Sequence, residues 1–175
     1  MGLSRPLPGE YDERYGHYLA SPPEGSVLAL LEAQAKDVRA LYGSLSEGQG
    51  AHRYAPGKWS LKDLLQHLTD CECIFTYRCL RIARGDQTPL PGFDENAYAA
   101  SAQAESHAIP ALLADFQATR NASLALFRSV PEGAWTSPGT SNGRLLSARC
   151  LPYFALGHTA HHLAVIRERY LPGLK

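Results

Sequence analysis

Four stretches of this chain carry apolar residues at helical spacing, separated by joints rich in proline and glycine. The clearest opens at "KWSLKD". Ser60 stands as N-cap, Asp63 three residues on completes a capping-box variant, and Leu61, Leu64, Leu65 and Leu68 follow the i, i+3, i+4, i+7 rule. The pattern runs through Phe75 and Ile82 and stops at Gly85. The others run from about Glu24 to Leu45, from about Ser106 to Val130, and from about Ser147 to Tyr170. Pro110 and Pro152 fall in first turns, where proline is tolerated. No segment alternates as a strand would. The spacing therefore predicts an all-α four-helix bundle with long connecting loops, about 30–35 Å long.

The joints are as telling as the helices. The connections over roughly Gly85–Ala104 and Pro131–Leu146 are long for a bundle, and loops of that length carry function or cap a site. They can also cross the bundle, so the order of the helices is open. Residues 1–23, rich in Pro, Gly and Tyr, read as a surface arm. Residues of about 24–170 form the bundle, and 1–175 is a single domain.

Charge excludes some function classes. Seventeen basic residues balance seventeen acidic ones. A nucleic-acid binder or an anionic-membrane binder would need a basic excess, so neither partner is expected. No apolar run approaches the roughly 20 residues that span a bilayer, and "MGLSRPLPGEYDERYGHY" has no apolar signal core. The expected location is the cytoplasm. Cys71, Cys73, Cys79 and Cys150 include no CxxC pair and read as reduced, small apolar residues. Cys71, four residues after His67, is the exception to weigh.

The chemistry concentrates in "GHTAHH", Gly157 to His162, which holds three of the seven histidines. At 100° per residue, His158 and His162 lie about 40° apart within the stripe of Leu151, Phe154 and Val165. His161 falls at the edge of that stripe. Two inward imidazoles one turn apart, with Cβ atoms about 6 Å apart, suit two ligands of one ion. On the second helix His67 lies about 60° from the centre of its stripe, with Cys71 and Arg78 nearer the centre. His67 would complete a three-ligand set with an open position; a set using Cys71 instead, or as well, would favour zinc. Thr159 stands where a zincin carries its glutamate. A base must then come from Asp63, Asp70, Asp94, Glu95 or His161.

"YAPGKWSLKDLLQHLTDCE", "GFDENAYAAS" and "GHTAHHLAVI" together resemble the DinB/YfiT-like metalloenzyme family, most closely its YfiT branch. The resemblance covers roughly residues 25–170. It implies a four-helix bundle holding a divalent metal, nickel or zinc, on His67, His158 and His162. It also implies a homodimer and a small-molecule substrate. Tyr98 stands where the nearest relatives are expected to have Trp, so the pocket wall differs there.

The leading expectation is S-transfer from a low-molecular-weight thiol, such as bacillithiol or mycothiol, to a small electrophile. The alternatives are a metal-dependent hydrolase using an activated water, or a non-catalytic metal-binding bundle. Asp94, His161 and Asp70 are the candidate catalytic residues. Arg78 and Tyr98 are the candidate substrate-binding residues, with Arg78 about 16 Å along the helix from His67.

Overall fold

The computed structural model describes residues 3–20 and 24–174. The chain runs through α1 (Gly16–Ala20), α2 (Val27–Gly43), α3 (Glu47–Gly50), α4 (Leu61–Ala83), α5 (Glu95–Ala102), α6 (Ile109–Ser129), β1 (Pro138–Ser141), β2 (Arg144–Ser147) and α7 (Cys150–Val165). A π-helical turn over Ile166–Tyr170 prolongs α7.

The four predicted helices are α2, α4, α6 and α7. The capping box at the start of α4 is present: Ser60 N donates to Asp63 Oδ2 at 2.9 Å, and Asp63 N donates to Ser60 Oγ at 3.1 Å. Helix α2 packs on α6 and α7, and α4 packs on the same two. The consecutive pairs α2/α4 and α6/α7 therefore lie on diagonals, so two of the connections cross the end of the bundle.

The joints hold more structure than their sequence suggests. The segment after Gly85 contains α5, opened by Asp94, and the segment before α4 contains α3 with its own capping box. Residues 131–146, read as loop, hold the hairpin of β1 and β2. Asn142 and Gly143 both have positive φ (52° and 68°), as a two-residue hairpin turn requires, so an Asn-Gly pair suits the corner. The hairpin takes the residues up to Ser147, and α7 begins only at Cys150.

Of the arm expected over 1–23, residues 1, 2 and 21–23 lie outside the described residues. The rest is tied to the hairpin and to α7. Asp12 N donates to Leu145 O at 3.0 Å, Ser147 N donates to Glu10 O at 2.8 Å, and Glu10 pairs with Arg149. Helix α1 crosses α7 at Gly157. A Cβ there would lie 2.0 Å from the carbonyl oxygen of Tyr18, so only glycine admits this approach.

The apolar core falls into two clusters along the bundle. One gathers Leu31, Ile82, Phe127 and Phe154; the other gathers Val38, Leu65, Phe116 and Ile166. On every bundle helix the residues between the two clusters include buried polar ones, Gln34 on α2, Glu72 on α4, Arg120 on α6 and His158 on α7, and His67 lies just inside the second cluster on α4. A polar layer thus crosses the middle of the molecule.

Candidate metal centre

Two helices bring the three histidines together. His67 comes from α4, and His158 and His162 from α7. Nε2 of His67 lies 3.0 Å from Nε2 of His158, which lies 3.2 Å from Nε2 of His162. The ring centroids are 4.5 to 4.9 Å apart. His67 and His158 are 4% and 5% exposed, while His162 is half-buried. The first ten residues of α7 are buried on every side, so the helix is not one apolar stripe facing a core but a rod enclosed by α1, α2 and α4.

Burial keeps these rings neutral. It pushes His67 down to about 4 and His158 well below the usual imidazole range. His162 falls to about 3, chiefly from burial and then from His67 and His161. Each ring therefore keeps a lone pair at neutral pH. His162 Nδ1 is buried and has no hydrogen-bond partner among the described residues. The Cys71 Sγ is 3.6 Å from both ring nitrogens of His67, and one donor atom from each of His67, Cys71 and His158 falls within 4.8 Å of the others. Burial, with Glu95 and Asp70 adding to it, raises the Cys71 thiol far above its ordinary value.

Aromatic rings wall the cluster. Trp59, from the GKW segment, lies 4.6 Å from His67; Phe75 and Tyr18 lie 5.7 and 5.9 Å from His158. Two cavities flank it. One, of about 390 Å³, reaches His162 and His161 beside Trp59 and Asn96. The other, of about 210 Å³, reaches His158 and Cys71 beside Phe75, Arg78 and Glu95.

The remaining candidates separate. His161 is exposed at the mouth of the larger cavity. Arg78 lines the smaller one. Asp94 is the N-cap of α5, accepting from Asn96 N and Ala97 N at 2.9 and 3.0 Å, and its neighbour Glu95 lines the smaller cavity. Asp63 serves the α4 cap and an ion pair with Arg53 at 3.0 Å. Asp70 is half-buried and accepts from Gln66 at 2.8 Å; burial raises its carboxyl. Tyr98 is 45% exposed and packs on Phe93 at 5.1 Å, outside the lining of both cavities. Sequence reasoning passed over Trp59, Tyr18 and Phe75 as walls. An aromatic beside an N-cap, on an arm or at a stripe edge carries no periodic signal that marks it as a site residue.

No curated protein sequence matches the chain. Among solved structures it is similar to YfiT from Bacillus subtilis, described as a probable metal-dependent hydrolase with an unusual four-helix bundle topology. The TM-score is 0.72 at 17% identity, over 96% of this chain and 92% of that one, a likeness of fold. A sequence model of the DinB superfamily matches residues 30–166, from α2 to the end of α7 and including all three histidines. The chain belongs to the DinB superfamily.

Proposed function

We propose that the chain is a metal-dependent enzyme in which His67, His158 and His162 hold a divalent cation. The approach of His67 Nε2 and His162 Nε2 to the same atom, Nε2 of His158, carries this reading. Nitrogens bound to one ion at about 2.0–2.1 Å lie about 3.0 Å apart at a right angle and about 3.4 Å apart at the tetrahedral angle. The observed 3.0 and 3.2 Å fall in that range. The donor chemistry fits as well. Three neutral imidazoles facing one another cannot all be satisfied by hydrogen bonds between themselves, because one N–H serves one neighbour. All-nitrogen donors suit zinc or nickel.

A cation held there supplies Lewis acidity, lowering the pKa of a thiol or a water in its open position. The chain's own residues do the rest. The buried histidines stay unprotonated at neutral pH and so remain competent donors. Trp59, Phe75 and Tyr18 keep bulk water from the cluster. Glu95, at the wall of the smaller cavity, is placed to accept a proton, and His161 is placed to pass one to solvent.

Two cavities that reach different histidines of one cluster favour a reaction of two substrates, and we read it as S-transfer from a low-molecular-weight thiol to a small electrophile. The sulfur–carbon bond forms as the electrophile's leaving-group bond breaks, and the thiol proton passes to Glu95. Hydrolysis is the second reading, favoured by the description of the structurally similar YfiT.

Elemental analysis of the purified protein should find about one divalent ion per chain, lost in His158→Ala. A protein without metal, or a variant that keeps it, sinks the proposal. Thiol consumption with monochlorobimane as electrophile tests S-transfer. Ester turnover without added thiol would replace it with hydrolysis.

A further inference from the structure

The smaller cavity contains a buried cation that forms no ion pair among the described residues. Arg78 is 8% exposed. Its Nη2 donates to Pro91 O at 2.7 Å, and its guanidinium lies 5.9 Å from the centre of the Phe93 ring. No carboxylate pairs with it among the described residues. The other deeply buried arginines differ: Arg120 faces Glu72, and Arg149 faces Glu10. A guanidinium has five N–H donors, and a buried charge is costly unless it is paired. Burial accordingly pulls Arg78 below the ordinary guanidinium value.

A second guanidinium faces the same space. Arg144, at the start of β2, lies over the Tyr15 ring at 5.4 Å; its charge acts on Asp12, but it forms no ion pair among the described residues. Arg14 also lines the cavity, but Asp12 holds it at 2.6 Å. Glu95 is the one acid in the lining. Cys71 and Arg78 are seven residues apart on α4, two turns on one face, so the cavity runs about 10 Å along the helix. Phe75 lies between them as an apolar wall and packs on His158 at 5.7 Å. A volume of about 210 Å³ corresponds to about seven waters, a space for a small metabolite.

We propose that this cavity binds the carboxylate of a small organic substrate between Arg78 and Arg144, with the rest of the molecule lying along Phe75 towards His158. This names what the substrate carries. It rests on the metal-centre reading for the position of the reacting end, and on the arginines alone for the anchoring end.

The test is calorimetric titration of the purified protein with glutarate, dimethyl glutarate and inorganic phosphate. Glutarate should bind at least about tenfold more tightly than its neutral diester, and Arg144→Gln should weaken it by about tenfold or more. Arg78→Lys keeps the charge but loses the fork, and should weaken it too. A melting curve shows whether that variant is folded, and Arg144→Gln stands independently if it is not. Equal binding of acid and diester, or glutarate binding untouched by Arg144→Gln, overturns the proposal. Phosphate binding more tightly than glutarate overturns the carboxylate assignment. Repeating the titration after EDTA treatment separates the two readings. Glutarate that still binds, and still depends on Arg144, supports the anion site whatever the metal result. Glutarate that is lost with the metal and is indifferent to both arginines overturns it and leaves the metal centre standing.

Discussion

The polar layer of the bundle has two halves, and they differ in closure. In one half Arg120, fully buried, donates to both oxygens of Glu72 at 2.5 and 2.7 Å, to Leu31 O at 2.7 Å, and more weakly to Gln34. Gln34 in turn donates to Leu156 O at 2.9 Å. Every charge there has its partner inside the protein. In the other half, five residues earlier on α4, His67 meets the two histidines of α7, with Nε2 of His158 close to Nε2 of both others, and His162 Nδ1 has no hydrogen-bond partner among the described residues. Burial is similar in both. A closed network orders helices, whereas an open one has capacity left for something outside the chain.

Breaking the closed half should have the largest effect on stability. Glu72→Leu leaves the Arg120 charge buried and unpaired, and should cost about 3–5 kcal/mol in urea unfolding without changing metal content. Adding Arg120→Met should recover much of that loss. A Glu72→Leu protein that keeps its stability would show that the two halves are not distinct in kind.

Acid probes the open half. In the metal-free protein the unfolded histidines bind protons near 6.5, whereas folded His67 and His162 resist until about 4 and 3. Their lowered values mean that the stability they contribute is present above about 6.5 and is lost as pH falls towards those lower values. The urea midpoint of metal-free protein should therefore fall between pH 7.5 and 5, and His67→Gln should flatten the fall. A midpoint indifferent to pH would contradict the burial of neutral rings.

The smallest effect is expected where the arm meets the open half. Gly157→Ala drives a methyl group against the Tyr18 backbone, so α1 must shift, at about 1–3 kcal/mol. Limited proteolysis should then cut the arm before the bundle. An arm as resistant as that of the parent protein would mean that α1 yields without leaving α7.

How far the sequence could be read depended on how local each signal was. Ser60, Asp63 and the leucines after them announce α4 because a helix repeats within four residues. The inward position of His158 and His162 follows from the same repeat. The hairpin was missed although Asn142-Gly143 is a turn signal, because its four-residue strands are too short for alternation to register. Helix α5 was missed for a similar reason: it is eight residues long and largely exposed. Arg120 gave no hint of its depth, since a lone charge in a helix normally faces water.

The sequence by itself determined the helices, their caps and the two-histidine face of α7, because those are settled by neighbours within a turn or two. It also carried enough of the family pattern to single out His67. Only the tertiary structure decided that His67 and His158, 91 residues apart, meet Nε2 to Nε2. It alone decided that Gly157 lets the arm close over them, that Glu95 and not its capping neighbour Asp94 lines the cavity, and that Arg78 is buried with no carboxylate paired to it among the described residues. Those outcomes depend on how connections cross the ends of the bundle and bring distant side chains to one level, and no local period encodes that path.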